Sequence, residues 1–108
     1  MTPLGAVKTV TAGTPSALAS SETRATKIWI QPMRSLSVAG TTPVPNTGTI
    51  YLMNTSAAKG ASSTNIFASI GSLDNVILLE SQQREGWDLS KIYMDADNTG
   101  DGALISYA

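Results

Sequence analysis

KIYMDADNTGDGALISYA, residues 91–108, decides the fold class. Its centre, DADNTGDG at 95–102, holds three aspartates, an asparagine and two glycines. A helix-loop-helix calcium loop wants oxygen ligands at its first, third and fifth positions, glycine at the sixth and a bidentate glutamate at the twelfth. Asp95, Asp97 and Thr99 fill the first three and Gly100 takes the glycine place, but the twelfth position is Ser106. No glutamate follows Glu85. The flanks KIYM and ALISYA carry short apolar alternation, which suits strands rather than helices. The stretch therefore reads as a β-hairpin whose turn uses Asn, Gly and Asp for their tolerance of positive φ. Asp95 and Asp97 stay as weak candidates for a bound cation, and no cofactor is expected.

Working outward, turn signals recur at Gly13-Thr14-Pro15, Pro43 to Gly48, Gly60 to Ser63, Gly71-Ser72 and Asn98 to Gly102, with short apolar stretches between them. That spacing predicts an all-β chain, a single antiparallel β-sandwich or jelly-roll-like domain over 1–108. Strands are expected at about 5–12, 16–20, 26–33, 48–54, 65–70, 75–80, 86–94 and 102–107. Pro32 should end or edge its strand because it donates no ladder hydrogen bond. The segment at about 34–48 reads as a long loop stiffened by Pro43 and Pro45, with a short strand near Leu36 to Val38.

Three strands share one pattern. In KIWIQ, TIYLM and KIYMD, aliphatic residues (Ile28 and Ile30; Ile50 and Leu52; Ile92 and Met94) alternate with an aromatic (Trp29; Tyr51; Tyr93). Period-two geometry places the aliphatics on one face and the aromatics on the other. Isolated surface aromatics are ordinary, whereas in a subunit interface Trp and Tyr are favoured. The run VILLE at 76–80 is apolar on both faces, so it calls for cover on both sides, from the fold or from a partner.

Composition narrows the function. The 108 residues contain neither histidine nor cysteine, and 14% are charged, with a net charge of −1. The commonest general base, the thiolate nucleophile and the usual zinc ligands are thus missing, and an enzyme is not expected. The carboxylates Glu80, Glu85 and Asp88 around Arg84 read as solvated ion pairs. GASSTN at 60–65 lacks the lysine of a P-loop. Lys8, Arg24, Lys27 and Arg34 are scattered, so no nucleic-acid groove is indicated. No apolar run reaches the ~20 residues that span a bilayer, and MTPLGAVKTV lacks a signal-peptide layout. A cytoplasmic origin without membrane contact is the expectation. A surface so sparsely charged tends to associate with its own copies or with a larger body.

Taken in order, the motifs resemble small virion proteins of tailed bacteriophages, the capsid decoration or cement proteins. Those chains open on a segment like VKTVTAGTPSALAS (7–20), carry a strand like KIWIQPM (27–33) and an NTGxIY strand (46–51), and close on DLSKIYxDxD, a Gly-Asp-Gly turn and a final strand. SQQREG at 81–86 replaces a Pro-Gly turn, and RSLSVAGTTPVP at 34–45 is an insertion relative to that pattern. The resemblance implies a non-enzymatic β-sandwich made in the host cytoplasm. Such a protein sits on the outer head surface of the virion, bound to the major capsid protein and to its own copies. A trimer is the natural arrangement for a clamp at a symmetry axis. The N-terminal Thr-rich strand and the 34–48 loop, with Leu36, Val38 and Val44, are candidate shell contacts. Trp29, Tyr51, Trp87 and Tyr93 are candidate interface anchors. A head–tail junction or tail component and a host-surface carbohydrate-binding module are the alternative functions, the last with Asp95 and Asp97 around calcium.

Overall fold

The alternation read at KIWIQ, TIYLM and KIYMD becomes the lining of two facing sheets. The computed structural model describes residues 2–5, 7–36, 43–54, 66–71, 76–82 and 84–108. In chain order the strands are β1 (Thr2–Pro3), β2 (Lys8–Thr9), β3 (Ser16–Ala17), β4 (Arg24–Ala25), β5 (Lys27–Pro32), β6 (Ser35–Leu36), β7 (Pro43–Val44), β8 (Ile50–Met53), β9 (Ile66–Ile70), β10 (Ile77–Glu80), β11 (Trp87–Asp88), β12 (Tyr93–Ala96) and β13 (Gly102–Tyr107). One five-stranded sheet runs β1-β13-β5-β10, with β2 beside β1 on β13. A four-stranded sheet runs β3-β12-β8-β9. Two-residue ribbons β4–β11 and β6–β7 complete the described pairings. Every pairing is antiparallel.

Ile28, Ile30, Ala103 and Ile105 from the first sheet meet Ile50, Leu52, Ile70, Met94 and Ala96 from the second in one buried cluster. The chain is therefore all-β and sandwich-like, as its sequence reads. Fully burying one such aliphatic side chain is worth about 1.5–3 kcal/mol. Pro32 closes β5: it pairs Ala103 on β13, while β10 ends its pairing at Ile30. The missing N–H falls at a strand end, as expected.

Two expectations are corrected. The 95–102 stretch is not a hairpin turn, because β12 belongs to the four-stranded sheet and β13 to the five-stranded one. It is a corner carrying the chain from one sheet to the other. Its two ends extend different ladders: Asp97 N–H donates to Thr49 O at 3.0 Å, one step beyond the Ala96–Ile50 pair of β12 and β8, and Gly100 N–H donates to Val10 O at 2.9 Å, beside the pairing of β2 with β13. The strand expected at 86–94 is broken by a single 3-10 turn, Leu89–Lys91. Asp88 Oδ1 accepts from Ser90 N–H at 3.0 Å, Ser90 Oγ at 2.8 Å and Thr23 N–H at 3.2 Å. Such a cap offers the backbone an alternative to the ladder. The Ser90 side-chain bond leads the causes that hold the Asp88 carboxyl below its ordinary value.

The 34–48 segment is less a free loop than expected. β6 and β7 pair within it, with Ser35 opposite Val44 and Leu36 opposite Pro43. Val38 and the GASSTN stretch lie outside the described residues. Gly86 shows why the 81–86 connection needs glycine at its end. Its φ is +70°, and a Cβ there would collide with the Ala25 carbonyl.

Candidate functional site

β5 lies inside the five-stranded sheet, and its outward residues are Lys27, Trp29 and Gln31. Register sets their neighbours. Trp29 stands between Ser106 on β13 and Leu78 on β10, and Gln31 stands beside Leu104. Lys27 faces Glu80 across β5 and β10. Val76 precedes β10 on the same face, 52% exposed, and Leu78 is 43% exposed. Together Trp29, Gln31, Val76, Leu104 and Ser106 line a shallow depression of about 200 Å³.

The chemistry of this depression is adhesive. Its lining offers one amide, one hydroxyl and one indole among aliphatic carbons, and no titratable group. The reason the chain leaves it open is in the alternation. Ile77 and Leu79 turn inward and pack on the core, so Val76 and Leu78 must turn outward. The two-faced VILLE run thus has one face covered by the fold and the other exposed.

The outer face of the four-stranded sheet differs. Tyr51 and Met53 on β8 are buried there, as is Asp95 on β12. The Tyr51 hydroxyl donates to Asp97 Oδ1 at 2.9 Å. Burial, then the bond to Asp97, raises the Tyr51 phenol above its ordinary range. Tyr51 is therefore corrected from an open anchor to a covered one. Tyr93 is half-buried on the same strand face as Asp95. Trp87 is half-buried against the main core and pairs Ala25 in the short ribbon. Val44 is exposed on β7, beside Ser35. Trp29, Tyr51, Trp87, Tyr93 and Val44 therefore do not form one surface.

The aspartates of the corner serve the fold. Asp95 Oδ1 accepts from Gly13 N–H at 2.9 Å and from its neighbour Ala96 N–H at 2.8 Å. Asp101, fully buried, accepts from Thr47 N–H, Thr47 Oγ1 and Gly48 N–H, and lies 3.0 Å from Arg34 Nε. Arg34 Nη2 also donates to Thr99 O at 2.9 Å. Asn46 completes the knot by acting as a peptide group. Its amide donates to Gly102 O at 2.9 Å and accepts from Gly102 N–H at 3.0 Å. Among the described residues, no buried side-chain nitrogen or oxygen lacks a partner. No group of three acidic residues able to hold a metal ion occurs among them either. The carboxylates named as cation candidates are engaged by backbone N–H groups and a phenol.

Sequence reasoning missed the importance of Val76, Leu78, Gln31, Leu104 and Ser106. The signal for the first two was present in VILLE. The others needed the β5–β13 pairing. Comparison with known protein families, with curated proteins and with solved structures finds no match to this chain.

Proposed function

We propose that this chain is a non-enzymatic structural binding protein, a decoration or cement protein of a tailed-bacteriophage head. Its shell contact is the outer face of the five-stranded sheet. The observation that carries the contact surface is the apolar group of exposed Val76 and Leu78 beside half-buried Trp29 and Leu104, in a chain with few charges to keep other surfaces away. The ordered series of sequence motifs supports the virion setting. The absence of histidine and cysteine supports a role without bond-making chemistry.

The mechanism is mass action. A protein that binds the assembled shell and not its free subunits stabilises the shell by its binding free energy. Many symmetric copies repeat one modest interface. Heads stripped of the protein and titrated with the purified chain provide the test. Wild-type protein should saturate the heads and raise the temperature at which they release DNA. Trp29→Ser should fold normally and bind at least tenfold more weakly. Equal binding by Trp29→Ser removes this face from the contact, and no binding by wild-type protein removes the decoration role. Copy number per particle separates decoration from a head–tail junction or tail component.

A second reading draws on Gln31 and Ser106 beside Trp29. An indole with an amide and a hydroxyl at its edge suits a sugar ring. Binding on a glycan array that disappears in Trp29→Ser would favour a carbohydrate-binding module over the head surface.

A further inference from the structure

We propose that β10 pairs with β10 of a second copy, antiparallel about a two-fold axis, joining two five-stranded sheets edge to edge. The inference does not rest on the virion reading. It starts from backbone parity. Lys27 N–H donates to Ala108 O at 3.2 Å and Ala108 N–H to Lys27 O at 3.0 Å, while Ser81 N–H donates to Thr26 O at 2.8 Å. In an antiparallel ladder bonding direction alternates residue by residue. Odd-numbered residues of β5 therefore serve β13, and even-numbered ones serve β10. On β10, Ile77 and Leu79 bond inward, so Val76, Leu78 and Glu80 aim their N–H and C=O groups at the far edge. Among the described residues no strand pairs with that edge.

The other sheet edges carry devices that discourage pairing. β1 contains Pro3, and β2 contains Lys8. β3 is two residues long and follows Pro15. β9 carries a bulge, because Leu52 opposes Ala68 while Met53 opposes Ile66, leaving Phe67 as the extra residue. β10 has no proline, lysine or bulge, its one charge is Glu80 at its end, and Leu78 and the preceding Val76 are exposed aliphatics.

The uncharged run Val76 to Leu79 is complementary to itself, and charge selects the register. Glu80 is the single charged residue of VILLE. Pairing Glu80 with its own copy sets like charges directly opposite, which destabilises a sheet. Shifting by two residues sets Glu80 against Leu78. Shifting by four centres Leu78 on the axis and sets Glu80 against Val76, which keeps the two carboxylates apart and uses the whole free edge. That register also extends the apolar row from Trp29 and Leu78 of one copy into those of the next. The pairing is isologous and consumes the open edge of each molecule, so it closes at two.

Sedimentation equilibrium of the full chain over a concentration series tests this. Wild-type protein should be a monomer–dimer system. A strict monomer, or the trimer expected of a symmetry-axis clamp, overturns the proposal. Leu78→Pro removes an N–H unused inside the molecule and should give a folded monomer by circular dichroism. A persistent dimer in that folded variant also overturns it. Val76→Lys and Val76→Glu decide the register without touching the core. Lysine meets Glu80 of the other copy twice per dimer and should tighten Kd by roughly 2–30-fold, and glutamate should weaken it by a similar factor. Equal Kd values for the two variants overturn the register and with it the proposed pairing.

Discussion

Outside β5, Trp29 stands half-buried among Leu78, Ser106 and Gln31, with Val76 and Leu78 exposed beside it. Outside β8, Tyr51 is 7% exposed, Met53 is fully covered, and the phenol is bonded to Asp97. Both strands have an aromatic between two aliphatics, and both aliphatic pairs face the same core. The difference lies in what passes over the outer face. On the four-stranded sheet the chain returns: Gly13 N–H reaches Asp95, and Thr11 bridges Thr14 around it. The five-stranded sheet keeps an apolar outer patch open. An aromatic at an outward position thus carries two meanings, and the path of the chain chooses between them.

Substitutions can break that comparison. The largest expected effect is Met53→Ala on the covered face, which should cost about 2–5 kcal/mol as a buried large-to-small change. Urea unfolding measures it, and a loss near zero would mean that the face is open. Next comes Asp101→Ala at the corner, which strands Arg34 and the N–H groups of Thr47 and Gly48. Breaking a buried pair costs about 3–5 kcal/mol. Arg34 keeps 36% of its side chain in solvent, so the expected loss is nearer 2–3 kcal/mol.

Tyr51→Phe should cost about 1 kcal/mol, the net worth of one hydrogen bond. It also sharpens the comparison through pH. Burial raises the Tyr51 phenol above its ordinary value of about 10 in the folded chain. The folded state therefore holds this proton more tightly than the unfolded state does. The contribution is complete below about pH 10 and is lost as pH climbs from there through the folded value. Thermal unfolding of wild-type protein should decline over that window by more than Tyr51→Phe does, and parallel profiles would refute the burial of the hydroxyl. The smallest effect is Val76→Thr on the open face, within about 0.5 kcal/mol of wild type in urea. A loss above about 1 kcal/mol there would show the patch to be covered.

The strands were the legible part. Ile28, Ile30, Ile50, Leu52, Ile92 and Met94 declare a buried face by alternation alone, and β13 lies where ALISYA placed it. Glycines and asparagines marked the breaks between strands. Asp88 shows where local reading failed. Its side chain captures Ser90 and Thr23, 65 residues away in sequence for the latter, and bends a run that otherwise reads as strand. DADNTGDG failed for a related reason. Turn chemistry is the same whether two flanking strands pair with each other or part into opposite sheets.

The candidate site was half legible. VILLE announced a strand with an unsatisfied apolar face, but not which face or against what. Leu104 and Ser106 join it only through the β13–β5 register, and a one-residue slip would have turned them inward.

The sequence by itself determined that this chain is a β protein with aliphatic inner faces, little charge, and neither histidine nor cysteine for chemistry. Those properties follow from side-chain period and residue type, which are local. The tertiary structure alone decided that the last turn is a corner, that Asp95 and Asp101 hold backbone rather than solvent, that Tyr51 is covered, and that Trp29 with β10 is left at the surface. Each depends on which segments far apart in the chain come to lie against one another, and pairing of that kind is set by the packing of the whole core.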